Sequence, residues 1–463
     1  MAQIRSDDGL ERRLGIFPVT NIVIANMIGA GIFTTSGLLM ADLWNPWLMV
    51  SLWVVGGLIA LCGALSYGEL GAAIPRAGGE YAFLSKLYNP LVGFLPGWVS
   101  FFAGFSAPIA ASAIGFTWYL TRAFPGLLHW GVFDPSIEAS ILKKFYAIVV
   151  IAVFSIIHSR GLKTGAKIQN ALTILKILLV VGLVFAGFMF GKGSFEHFSQ
   201  GEAFKFDFGG WKTIALSLMW IMFAYSGWNA SAYIGSEIKN PAKTLPRSLI
   251  IGTGAVAVLY FFMNLFYVYA ASPAEMVGPD GKGIVDIGGL AVRNLFGPSF
   301  ESVLSLLISF ALFSSLSAYI ILGPRVYFSM AKDKHFFKFA CDVSEKTSVP
   351  TKSILLQGGI AAIFVLLGTF DQILTYMGFS LGIFPILAVI GVFKLRKQKQ
   401  SLFKMPGFPF VPAIYITFGV VILVLAFFER PVESSIAILT VLIGIPVFFI
   451  FKRMYRGGED PKG

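Results

Sequence analysis

LGIFPVTNIVIANMIGAGIFTTSGLLMA, residues 14–41, runs 28 residues without a charge. About 20 apolar residues, rising 1.5 Å each, cross the ~30 Å hydrocarbon layer of a bilayer, so the stretch reads as a membrane span. At its middle stands Ile28-Gly29-Ala30-Gly31-Ile32-Phe33, where glycines let a helix unwind. A second interruption, Phe223-Ala224-Tyr225-Ser226-Gly227-Trp228-Asn229, sits in the sixth apolar run, 213–235. Elements five spans apart have opposite orientation, which is the pattern of inverted-topology repeats around a midplane site. Unwinding frees backbone N–H and C=O groups, tolerable in a membrane only where they face protein, water or a ligand. Freed N–H groups hold a carboxylate and freed C=O groups an ammonium; a zwitterionic amino acid offers both. Close packing through small residues explains Gly29-Ala30-Gly31 equally well when that triplet is taken alone. The repeat-related pair favours a site.

The rest of the 463-residue chain follows the same pattern. It is 56% hydrophobic and 13% charged, against about 25% charged in a soluble domain, and its mean hydropathy is +0.77. Twelve charge-poor runs are expected to span. They group as a first set at 14–190, a second at 213–393 and a final pair at 406–451, with tails at 1–13 and 452–463. On this count 26 of the 36 lysines and arginines fall on the side of the N-terminus and nine on the other. The positive-inside rule then places both termini in the cytoplasm. Topology accounts for the net charge of +12, so no nucleic-acid partner is called for; the expected surroundings are a lipid bilayer. Cys62 and Cys341 are far apart and the four histidines are scattered, so neither a metal site nor a cofactor is expected. A membrane enzyme would need interfacial carboxylates or His clusters, and a channel repeated polar rings; neither is visible.

One lysine remains inside a span: Lys176, in KIQNALTILKILLVV, residues 167–181. A charge at mid-membrane costs at least ~2.5–3.5 kcal/mol, so retaining it calls for a role; the alternative is a side chain reaching to an interface.

Five motifs, in order, are similar to the amino acid–polyamine–organocation superfamily. They are residues 29–33; LSYGELGAAIPRAGGEYAFL, 65–84; FAYSGWNASAYIGSEIKNPAKTLPRSLIIG, 223–252; GPRVYFSMAKDKHFF, 323–337; and KLRKQKQSLFKMPGFPFVP, 394–412. Within that superfamily the chain resembles the L-type amino acid transporter family and its bacterial alanine/serine/cysteine exchangers. The resemblance covers about residues 14–412. It implies an all-α membrane protein: twelve transmembrane helices in a LeuT-like five-plus-five inverted repeat, broken in helices 1 and 6, with two extra C-terminal helices. It implies a non-enzymatic secondary transporter of neutral L-amino acids, small ones of the alanine, serine or cysteine kind, working by alternating access in a bacterial inner membrane. By position, the substrate carboxylate meets N–H groups around Ala30 and Gly31. The substrate ammonium meets carbonyls near Ile28 and from Phe223 through Ala224 to Ser226. Phe223 closes over the substrate from outside, and Asn229 is a polar side chain near the site.

Lys176 matches the lysine that replaces a bound sodium ion in cation-coupled relatives, reaching Gly29 and hydroxyls among Ser314, Ser315 and Ser317. Two mechanisms follow: a fixed cation with sodium-independent exchange, or a proton site in a symporter. No mid-span carboxylate is seen to relay protons. No acidic residue lines spans one, six or ten, which favours neutral substrates. Two departures from the family pattern oppose each other: Ser226, where glycine is common, narrows the pocket, and Gly382, where an aromatic is common, widens it. Glu69, Arg76 and Glu80 at the cytoplasmic end of span two and Arg325, Lys332 and Asp333 at that of span eight are candidate partners in an inside gate; a solvated loop is the other reading. Loop 122–144 lacks the cysteine that ties animal members to a glycoprotein heavy chain, so no such subunit is expected.

Overall fold

The computed structural model describes the chain apart from residues 1–9, 130, 132–134, 280, 285, 345–346, 348, 368–369 and 458–463; the outer parts of both expected tails therefore lie outside it. Among the described residues every regular element is a helix. The first apolar run forms α1 (Ile16–Met27) and α2 (Ala30–Leu43), followed by α3 (Pro46–Ala73), α4 (Glu80–Leu87) and α5 (Pro90–Val99). A π-helical turn at Ser100–Ser106 joins α5 to α6 (Ala107–Ala123). Next come α7 (Pro135–Ser159), α8 (Leu162–Phe190), α9 (Phe208–Ala224) and α10 (Pro241–Ala270). The short α11 (Pro273–Met276) and α12 (Ile287–Phe296) precede α13 (Glu301–Lys332), α14 (Thr351–Leu367), α15 (Phe370–Lys397), α16 (Phe410–Glu429) and α17 (Pro431–Gly457).

Asn-Pro pairs start three of these helices. Asn45 and Asn89 accept the N–H of Leu48 and Val92 on their side chains, at 2.9 Å each. The proline behind each sits at the first helical position, where its missing N–H costs nothing. Asn240 precedes Pro241 with a left-handed φ of 47° and no side-chain cap.

Among the described residues nine helical segments are long and apolar enough to cross a membrane. Two of the expected twelve, α9 and α14, have 17 residues each, about 25 Å of helix. The first of these stops early because the chain breaks at Tyr225.

The helices are sided in reverse of a soluble protein. On α8 the buried positions Gln169, Thr173, Lys176, Val180 and Val184 recur at helical spacing. The outer positions Ile174, Leu175, Leu178, Val181 and Phe185 are apolar and exposed. A helix that points its polar residues inward and its leucines outward has lipid outside. Lys176 is therefore turned into the bundle and does not reach an interface. The segments Ile16–Leu43, Pro90–Ala123 and Pro298–Lys332 are the most enclosed, while α16 and α17 lie at the edge.

Candidate functional site

The break in the first span is two residues wide. Ile28 and Gly29 leave the helical region between α1 and α2. The last four carbonyls of a helix have no partner within it, and here side chains from three other helices take them. Lys176 of α8 donates to Ala25 O at 3.1 Å and Ile28 O at 2.5 Å. Tyr319 of α13 donates to Asn26 O at 3.4 Å. Tyr260 of α10 shares its single O–H between Met27 O at 2.6 Å and Ala224 O, beside the other break, at 3.1 Å. Ser315 accepts from the Lys176 ammonium at 2.8 Å and donates to Ile28 O at 2.7 Å. Lys176 is 1% exposed, and its charge is met by three oxygens.

The opposite end of the break differs. Gly29, the N-cap of α2, supplies no side-chain acceptor, and no described residue outside α2 caps the amides that open it. A helix start with uncapped N–H groups is an anion site.

Of the three serines expected at Lys176, only Ser315 reaches it. One residue earlier, Ser314 turns to Gln169 and Thr173 of α8. Ser317 bonds His158 Nε2 at 2.8 Å. Each step along a helix turns about 100°, so these three face different neighbours. The Ile28 carbonyl, expected to hold a substrate ammonium, already accepts from both Lys176 and Ser315. With both lone pairs engaged it has no room for a third donor.

The second break lies against the first. A Cβ on Gly31 would stand 2.7 Å from Ala224 Cα, and one on Gly227 would stand 2.8 Å from the Asn26 carbonyl carbon. Gly227 also carries a left-handed φ of 96°. After Tyr225 the chain does not resume an α-helix; it proceeds through 3-10 turns at Ala230–Tyr233 and Gly235–Glu237.

Beside the joined breaks is a cavity of about 120 Å³. Asn26, Phe223, Ser226 and Asn229 line it, together with Glu80 and Tyr233, while Ile28, Gly29, Ala30, Gly31 and Ala224 are not on its wall. Gly382 lines it too, but Leu423 of α16 fills the space beside that glycine, 2.8 Å from where a Cβ would be. The expected widening is therefore taken up by a neighbour.

Glu80, which its sequence position offers for the inside gate, lies on the cavity wall, a place that sequence reasoning missed. It opens α4 and is buried. Its Oε1 accepts from Tyr67 Oη at 2.8 Å and Asn229 Nδ2 at 2.5 Å. Gly78 and Gly79, with φ of 112° and 56°, turn the chain back so that α4 re-enters the bundle. The Gly-Gly pair before the glutamate was the available signal.

Ion pairs close the face of the bundle that carries the N-terminal segment, here the N-face. Arg325 Nε meets Glu237 Oε1 at 3.2 Å, with the two side chains 2% and 0% exposed. The Glu237 carbonyl in turn accepts the N–H groups of Arg13 and Leu14 at 2.9 Å each. Arg76 pairs with Asp333 at 3.1 Å, and Asp333 also accepts from Tyr81 Oη at 2.9 Å. Glu69 does not join Arg76 or Arg325. It is fully buried against Arg396, at 2.6 and 2.7 Å, and the Met405 N–H, at 2.9 Å. Arg396 lies in the last turn of α15 and Met405 in the segment between α15 and α16, both more than 300 positions away in the chain. Arg325, read alternatively as part of a solvated loop, is buried.

A sequence model of the amino acid permease family matches residues 14–450. The chain is 28% identical over 454 residues to the serine/threonine exchanger SteT of Bacillus subtilis (strain 168), covering 96% of this chain and 98% of the other. It is 26% identical over 452 residues to the mouse (Mus musculus) Asc-type amino acid transporter 1, covering 95% and 81%. It is 26% identical over 448 residues to the human (Homo sapiens) b(0,+)-type amino acid transporter 1, covering 96% and 88%.

Proposed function

The chain belongs to the amino acid permease family, and on that premise we propose that it exchanges small neutral L-amino acids across a bacterial inner membrane by alternating access, without sodium. It is a multi-pass membrane transporter of amino acids and not an enzyme. In this reading the twelve runs all span, residues 14–190 and 213–393 form the two inverted repeats, and both termini are cytoplasmic, as the lysine and arginine asymmetry supports.

The observation that carries the proposal is the asymmetry of the first break. Its carbonyl end is filled by a built-in cation, Lys176, and its N–H end has no cap. A permanent ammonium leaves no need for a metal cation at those oxygens. The uncapped N–H groups around Ala30 and Gly31 receive the substrate carboxylate once the cavity extends to them. The substrate ammonium then falls to carbonyls of the second break, because that of Ile28 is occupied. Phe223, Ser226 and Asn229 supply the wall around the side chain.

Proton symport through Lys176 is the competing mechanism. It requires the lysine to give up a proton while three oxygens hold it. The test is uptake of labelled alanine, serine and leucine into proteoliposomes, with and without unlabelled amino acid inside and with and without a pH gradient. Exchange predicts uptake that needs internal amino acid and ignores the gradient. Uptake into empty vesicles driven by an inward proton gradient would replace exchange with symport.

A further inference from the structure

Glu80 is a buried carboxylate on the cavity wall whose hydrogen-bond partners are two tyrosine hydroxyls, Tyr67 and Tyr233, and the Asn229 amide. A carboxylate only accepts hydrogen bonds. The end of the Asn229 amide that faces Glu80 is therefore its NH₂ group, donating at 2.5 Å. The same NH₂ lies 3.3 Å from Tyr233 Oη. This orientation turns Asn229 Oδ1 away from Glu80, and no donor among the described residues bonds it. Asn26 adds a second acceptor: it lines the same cavity, is 3% exposed, and its buried Oδ1 has no hydrogen-bond partner. A buried acceptor without a donor costs about 1–3 kcal/mol, so a ligand donor is the favoured partner at this part of the cavity wall.

We propose that Glu80 is a specificity-determining positioning residue. By engaging the Asn229 NH₂ on its own carboxylate, it leaves Asn229 Oδ1 as the free end of that amide on the cavity wall, creating a subsite for a side-chain hydroxyl, and so ranks serine and threonine above alanine. This rests on reading the chain as a transporter of small neutral amino acids and names the preference within that class. An unpaired acceptor discriminates strongly against an analogue that lacks the donor.

The test is the ratio of KM for alanine to KM for serine, measured by exchange in proteoliposomes. In the wild-type protein the ratio is expected to be about ten, the worth of one net hydrogen bond. Glu80→Ala removes the acceptor that orients Asn229, and the ratio is expected to fall to within about twofold of one. Glu80→Gln keeps a carbonyl acceptor and is expected to retain most of the ratio, whatever happens to the maximum rate. A merely structural role would move both KM values together. A wild-type ratio near one, an unchanged ratio in Glu80→Ala, or a collapse in Glu80→Gln equal to that in Glu80→Ala each overturns the proposal; the last assigns the effect to charge. If Glu80→Ala does not assemble, Asn229→Ala takes its place, and a ratio that survives there overturns the proposal as well. Wild-type uptake of alanine with no preference for serine defeats this assignment alone. Absence of any amino acid exchange defeats the transport reading beneath it.

Discussion

Lys176 is best understood through the carbonyls it serves. A helix that stops inside a membrane leaves carbonyls that water cannot reach, and each one left unpaired costs free energy. Lys176, Ser315, Tyr260 and Tyr319 together meet all four at the end of α1. Replacing Lys176 with Met strips Ala25 and Ile28 of a charged donor, although Ser315 still reaches Ile28. The expected outcome is a loss of about 3 kcal/mol, read as a lower melting temperature in detergent, together with slowed exchange. Exchange that is unchanged at every pH would remove Lys176 from the mechanism. Tyr260→Phe deletes a single hydroxyl yet uncaps Met27 and Ala224 at once. It is expected to cost about 1–3 kcal/mol, and a melting temperature equal to that of the wild type would contradict the bridging role.

The two broken elements are unequal. α2 continues the first span for 14 residues, whereas α9 gives way to short turns. Gly227 is the glycine least open to replacement, since it combines a left-handed φ with backbone contact to Asn26. Gly227→Ala is expected to push the breaks apart and abolish exchange in a protein that still inserts. Full activity would show that the breaks need not touch. At the N-face the turns after α9 are held by the buried Arg325–Glu237 pair. Removing one partner of such a pair strands the other charge, at a cost of about 3–5 kcal/mol. Arg325→Ala is therefore expected to be more damaging than the Arg325→Met/Glu237→Met double variant, and thermal unfolding of the three proteins would reveal the opposite order.

Across the whole molecule, the N-face is sealed by layers that differ in burial. Arg325–Glu237 and Glu69 are enclosed, whereas Arg76 and Asp333 are partly exposed. His335 sits beside this outer layer, 3.1 Å from Tyr81 Oη. Burial, aided by Lys452, pushes its imidazole below the usual 6.5 despite the nearby Asp333. The folded protein therefore binds this proton less readily than the unfolded chain does. The stability this represents is fully present above pH 6.5 and is lost as pH falls from there toward the lowered value. Thermal unfolding between pH 7.5 and 5 is expected to show that decline, and His335→Gln is expected to flatten it. A slope that persists in the variant would place its origin elsewhere.

Local composition determined what local physics governs. Charge-free runs of spanning length, the glycines that interrupt two of them, and one lysine with no aqueous neighbour are each readable from adjacent residues. They point to a helical membrane protein with a broken-helix site, because the cost of a backbone or a charge in hydrocarbon allows few alternatives. The tertiary structure decided the pairings. Whether Ser314, Ser315 or Ser317 meets Lys176 depends on the rotation of α13 against α8. Glu69 finds Arg396 rather than Arg76 because the end of α15 and the segment after it pack over the end of α3. Glu80 enters the cavity only because two left-handed glycines reverse the chain before it. Leu423 occupies the room that Gly382 leaves for a reason of the same kind, the approach of α16. Hydrophobicity sums along the chain and can be counted from it, whereas a hydrogen bond depends on distances of a few tenths of an ångström between residues that only packing brings together.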